Sequence, residues 1–219
     1  MCQNCVVQPL SRPFRGATAL QRVEQRRGQL IDAGVDVFGT TGYLLATVDH
    51  ICARAGLSKR YFYESFPDRE ALLLACYDRC ANEIHEAMIS AVLDVATAAI
   101  DVRLRAALVG YFGAIDADQR RARVTLLEIL GVSAAVDAAY AAQTERFAAS
   151  VEVLAAASFE ASALPKPQLH VIAQGIIGAV TTIAAQWLLD QRRRPCNQLI
   201  DGAYVLVSAV LNGLPHAAS

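Results

Sequence analysis

Residues 47–63 read TVDHICARAGLSKRYFY, and the way this run folds decides the rest of the chain. Thr47 is a good N-cap, and Asp49 suits the positive end of a helix in its first turn. Val48, Ile51, Cys52 and Ala55 give that helix an apolar side. Gly56 stops it after about two turns, the usual role of a glycine just past a helix end. Ser58 is read as the cap of a second short helix starting at Lys59, which Pro67 ends. Two short helices around a tight glycine turn form a helix-turn-helix.

A helical wheel at about 100° per residue divides the second helix into two faces. Phe62 and Phe66 lie four residues apart on one face and are expected in the core. Arg60 falls about 160° away from Phe62, with Tyr61 and Tyr63 on the flanks. Lys59 sits in the first turn, which enters a major groove when a recognition helix docks by its N-terminus. Arginine can pair with guanine O6 and N7, and tyrosine hydroxyls can donate to phosphate. The outward arc of Lys59, Arg60, Tyr61 and Tyr63 therefore fits duplex DNA. Tyr61 has three readings: against a base, along the backbone, or packed beside Phe62.

Helical periodicity continues on both sides. From about Arg22, the residues Leu30, Ala33, Gly34, Val37 and Phe38 trace one buried face, and Gly42 ends that helix. Asp68 caps a long helix through Leu72, Leu73, Cys76, Tyr77, Cys80, Ile84 and Met88. Further helices are expected over about 101–115, 119–131, 134–161, 167–193 and 197–212, with Pro165 and Pro167 breaking the chain between the third and fourth of them. No segment shows strand alternation. The expected fold is all-α: a flexible basic arm at 1–21, a helix-turn-helix unit at 22–67 and a larger helical body at 68–219.

Charge follows the same division. The net charge is −1, but residues 1–63 carry a balance of +4 and the remainder −5. A basic front on an acidic body suits a polyanion-binding module joined to a separate second one. The mean hydropathy of +0.31 is high for a soluble protein. Val171 to Leu189 carries no charge and is followed by Arg192–Arg194, a pattern shared with membrane spans. Gln174, Thr181, Thr182 and Gln186 interrupt it, while Gly175, Gly178 and Ala179 keep one side small. A helix buried in a core and an oligomer interface is the better fit.

The six cysteines form no regular framework, and reduced thiols in a cytoplasm are expected. Cys2 and Cys5 make one C-x-x-C, and Cys76 and Cys80 share a helix face. That leaves a thiol- or metal-sensing regulator as an alternative, without the second pair a zinc site requires. There is no phosphate loop, nucleophile elbow or H-E-x-x-H. His50, His85, His170 and His216 are scattered. No enzyme, metal or cofactor is expected, and a membrane-associated helical protein is the alternative from another class.

From Leu30 to Leu73 the run LIDAGVDVFGTTGYLLATVDHICARAGLSKRYFYESFPDREALL resembles the DNA-binding domain of TetR-type transcriptional regulators. Phe38, Gly42, Tyr43, Thr47, Val48, Ile51, Ala55, Gly56, Ser58, Tyr63 and Phe66 carry the likeness. Departures fall at Cys52 and at the bulky Arg60 and Tyr61. The resemblance implies that Thr47 and Tyr63 contact phosphates, that Lys59, Arg60 and Tyr61 face bases, and that Ser58 belongs to the same DNA-binding set. Arg69 would bind phosphate, and Arg26 and Arg27 would assist at the backbone or minor groove. It implies a homodimer through the last two helices, a pseudo-palindromic operator, and release by a small-molecule effector, most often as a repressor. Within the body, the candidates for an effector pocket are Tyr111, Phe112, Glu128, Tyr140, Phe147, Gln174 and Trp187. Apolar helices point to a hydrophobic or amphipathic effector.

Overall fold

A computed structural model describes residues 19–156 and 165–214. Among them there are α-helices, one π-turn and no strand. The arm up to residue 18, with Cys2 and Cys5, lies outside the described residues, as does His216. The helices are α1 (Ala19–Thr41), α2 (Val48–Ala55), α3 (Lys59–Ser65), α4 (Arg69–Leu93) and α5 (Ile100–Ala117). They continue as α6 (Gln119–Arg123), α7 (Ala134–Ala156), α8 (Lys166–Leu189) and α9 (Cys196–Asn212).

Local chemistry sets the helix ends. Thr47 Oγ1 accepts from the His50 amide at 3.2 Å, so α2 is capped as expected. Its other end closes in a Schellman motif: the Leu57 amide reaches the Cys52 carbonyl at 3.0 Å and the Gly56 amide reaches Ala53 at 3.4 Å. Gly56 holds φ 66°, a left-handed conformation that costs a side-chain-bearing residue about 1–2 kcal/mol. Asp68 Oδ1 accepts from the Ala71 amide at 2.8 Å and starts α4. Ser58 differs from the expectation: it stands at the N-cap of α3, but its hydroxyl makes no capping bond.

Two other boundaries differ from the sequence reading. The stretch 119–131 is not one α-helix, because α6 passes into a π-turn at Val124–Glu128. The helix expected to reach 193 stops at Leu189. Gln191 and Arg192 take φ 54° and 57°, and the Arg192 amide bonds to the Trp187 carbonyl at 2.9 Å. That is a second Schellman closure, with Gln191 in the place a glycine usually takes.

Two buried clusters organise the molecule. One holds Leu30, Phe38, Ile51, Phe62, Phe66, Leu72, Leu73 and Cys76 of the first four helices. Val124, Ile129 and Val136, from much later in the chain, complete it. The other gathers Ile84, Met88, Leu108, Phe112, Ile115, Phe147, Val180 and Trp187 in the body. α4 serves both, with Leu72 to Cys76 in the first and Ile84 and Met88 in the second. Its 25 residues span about 37 Å, making it a single strut between head and body.

Candidate nucleic-acid interface and effector cavity

The amphipathic split expected for α3 is observed. Phe62 is fully buried and Phe66 nearly so, and their rings lie 6.2 Å apart. Lys59, Arg60, Tyr61 and Tyr63 face outward. Tyr63 sets its ring edge-on to Phe62 at 5.3 Å and remains 58% exposed. The Arg26 guanidinium lies over the Tyr61 ring, 4.5 Å from its centroid. That stacking joins α1 to α3 and brings two candidate contacts onto one patch.

The cations of this face have internal partners. Lys59 Nζ lies 2.8 Å from Asp49 Oδ1, and that hydrogen bond raises the lysine pKa. Arg60 pairs with Glu64 at 2.9 Å, one turn along the same helix. Exposed pairs of this kind contribute little stability, so phosphate or base groups can displace them. Arg27 donates to the Ser65 carbonyl at 3.0 Å and covers the Phe66 ring. Arg69 donates to the carbonyls of Tyr43 and Ala46 and lies over the Tyr43 ring. These two arginines pin the α3 end and the α1–α2 turn as well as adding positive charge. Leu44 and Leu45 of that turn are left exposed.

The body contains a cavity of about 580 Å³ between α4, α5, α7, α8 and α9. Its wall is almost wholly apolar and includes Ile84, Met88, Leu104, Leu108, Ile176 and Val180. Tyr111, Tyr140 and Phe147 line it, as the sequence suggested. Phe112, Gln174 and Trp187 are not lining residues. Phe112 is fully buried in the core. Gln174 donates to Glu145. Trp187 Nε1 donates to the Arg194 carbonyl at 2.8 Å. Burial raises the Tyr111 hydroxyl to about 12, and a side-chain hydrogen bond joins it to Thr181.

Glu128 also stands away from the cavity. Its Oε2 accepts from the Tyr43 amide at 2.7 Å and its Oε1 from Arg123 at 2.7 Å. Gly42 presents no side chain to it: a Cβ there would lie 3.3 Å from Oε2. Thr125 and Leu126, on the same π-turn, do line the cavity. One short turn thus touches the cavity with one side and holds the α1–α2 turn with the other. Beside it, Asp36 of α1 is shared by Arg54 and Arg120, whose hydrogen bonds hold its carboxyl below the usual carboxylate range. Gly39 packs so closely on α6 that a Cβ would lie 2.5 Å from the Arg120 Cα. Sequence reasoning missed this seam, as it missed Tyr77, Met88, Arg103 and Leu126 in the wall, because residues so far apart in the chain give no periodic signal.

Among the described residues no cluster of histidine, cysteine and carboxylate side chains could hold a metal. Cys76 and Cys80 are free and buried; burial pushes both thiols up, Cys80 to about 12. Thiols held protonated in this way are poor nucleophiles.

A three-helix head with an outward cationic and tyrosine arc, on a hollow helical body, defines a helix-turn-helix regulator of transcription. Residues 30–76 match the model of bacterial regulatory proteins of the tetR family. The chain is 29% identical over 195 residues to the HTH-type transcriptional activator FasR of Mycolicibacterium smegmatis, covering 88% of this chain and 84% of that one. Its fold is that of the fatty acid degradation regulator FadR from Bacillus halodurans, with a TM-score of 0.70, 22% identity and coverage of 88% and 97%. FadR from Bacillus subtilis, in complex with stearoyl-CoA, gives a TM-score of 0.72 at 17% identity, covering 86% and 99%. The chain is a transcriptional regulator whose residues 30–76 form a tetR-type helix-turn-helix domain.

Proposed function

We propose that this regulator binds a pseudo-palindromic operator as a homodimer and alters its grip on DNA when an effector with a long apolar body enters the cavity. The cavity itself carries this reading. Lining residues run along α4 from Tyr77 to Leu93, about 24 Å at 1.5 Å per residue. A methylene chain leaving water for such a wall gains about 0.8 kcal/mol per CH₂. The acyl-CoA ester bound by the Bacillus subtilis regulator has that shape, which supports an acyl effector here.

The π-turn supplies a path for the response. An effector that reaches Leu126 changes the packing of the turn whose Glu128 holds the Tyr43 amide. Tyr43 lies four residues before Thr47, the proposed phosphate contact. The effector shifts the equilibrium only by as much as its affinity differs between the two arrangements. Thr47, Tyr63, Arg26, Arg27 and Arg69 would serve the backbone, and Lys59, Arg60 and Tyr61 the bases. Repression follows where the operator overlaps the promoter, and a DNA operator implies a cytoplasmic location.

Dimerisation rests on α8 and α9. α8 is apolar and long enough to cross a membrane, yet only 28% of its most apolar window is buried within the chain. Val171, Gly175, Gly178, Thr182 and Gln186 make an outward stripe on it. Val205, Leu206 and Val210 do the same on α9. A four-helix interface between two copies buries both stripes. Successive major grooves on one face of DNA call for two α3 helices about 34–36 Å apart in such a dimer.

Gel-shift titration with DNA flanking the protein's own gene tests the reading. A single retarded dimer complex that is altered by hexadecanoyl-CoA is expected. Binding that ignores every acyl ligand would remove the effector assignment.

A further inference from the structure

Polar groups around the cavity are mostly engaged. Thr125 donates to the Arg121 carbonyl and Thr144 to the Tyr140 carbonyl. Ser150 meets His85 at 2.8 Å. Arg146 is held by Asn82 and His85. Arg103 is different. It lines the cavity, its Nε is buried, and that Nε has no hydrogen-bond partner among the described residues. No carboxylate pairs with Arg103 among those residues either. Arg105, two residues on, is matched to Asp201. Arg103 as a whole is half-buried, but its Nε is a buried donor without an acceptor, and a ligand anion would supply one. Gln143 Oε1 is the other unpaired atom in the wall, but it is an acceptor and cannot hold an anion.

The position of Arg103 gives the ligand a direction. It stands in the first turn of α5, near the mouth marked by Leu93 and Val153, which line the cavity and are 66% and 70% exposed. The closed end, at Tyr77, Tyr140 and Leu126, adjoins the head. We infer that Arg103 is the anchor for an anionic head group, a carboxylate or a phosphate, on an apolar chain whose tail points toward Leu126. This rests on the acyl reading above and adds both a counter-ion and an orientation to it. A guanidinium offers a fork of donors that fits either anion in a bidentate way.

The test measures dissociation constants of the full chain for three probes of equal chain length: hexadecanoate, hexadecanoyl-CoA and the uncharged methyl hexadecanoate. Arg103→Gln is expected to weaken at least one anionic probe about ten- to a hundredfold, while changing the methyl ester less than about twofold. Arg103→Lys should recover much of the loss. Loss on hexadecanoate alone identifies a carboxylate partner, and loss on the thioester alone a phosphate. Equal weakening of all three probes overturns the anchor, since it reports a damaged cavity. Unchanged binding of all three overturns it too and leaves the acyl reading intact. If the parent protein binds none of them, the acyl reading falls first and the anchor with it. Matching unfolding curves for parent and variant show that the fold is retained.

Discussion

Glu128 and Tyr43 are 85 positions apart in the chain and joined by a 2.7 Å hydrogen bond from the Tyr43 amide to the Glu128 carboxylate. Glu128→Ala leaves that half-buried amide without its acceptor and Arg123 without its carboxylate. A loss of about 1–3 kcal/mol is expected, measured by urea unfolding. Operator affinity should also become less sensitive to effector. A variant with parental stability and parental response would show that the bond carries neither role.

Gly39→Ala tests the seam between α1 and α6. The added methyl would meet the Arg120 backbone, which cannot turn aside as a side-chain tip can. Overpacking of this kind costs about 1–3 kcal/mol, so the melting temperature should fall by several degrees. Ala at the open Gly28, where nothing stands within 4 Å, is the control and should not destabilise.

The recognition face predicts two separable defects on DNA. Tyr63→Phe removes a hydroxyl read as a phosphate donor, so it should weaken all sequences alike. Arg60→Ala removes a base-reading fork, at about 1–3 kcal/mol, and should relax specificity at one operator position. Binding selections on randomised operators distinguish them. Parental behaviour by both variants would disprove the contact assignment.

His170 joins α8 to α7 by meeting Glu152 at 2.6 Å and Glu145 at 3.0 Å. The hydrogen bond to Glu152, with the charge of Glu145, raises its pKa above the ordinary 6.5. The bridge therefore contributes fully below 6.5 and is lost as pH rises through the folded-state value. Melting curves should show a parental decline over that window that is absent in His170→Gln. The ring is half-exposed, and solvent screening keeps the effect small.

Val205→Asp places a charge on the outward stripe of α9. Sedimentation should show a shift from dimer to monomer and loss of operator binding, while helical content stays parental. A dimer that persists would move the interface elsewhere.

The head was legible because its signals are local. Caps, the glycine turn and the Phe62–Phe66 spacing each act within one or two turns of chain, and they fixed the rotation of α3 before any tertiary contact was considered. The body was legible as helices and less so as a site. A lone acid among apolar residues read equally as ligand partner or structural tie, and Glu128 is a tie because its partner lies 85 residues back. Arg103 and Arg105 look alike in sequence, and only folding gives one an acid and leaves the other facing a cavity. Ser58 sits at the right position for a cap, but its hydroxyl makes no capping bond.

Val124, Ile129 and Val136 fill the same buried cluster as the helix-turn-helix. The reading head consequently lacks a complete interior of its own. A chimera that grafts residues 22–67 onto another regulator's body would inherit a hollow where these three side chains belong. Exchanging operator specificity between relatives would require carrying the stretch from Val124 to Val136 across with the head, because its side chains complete the head's interior.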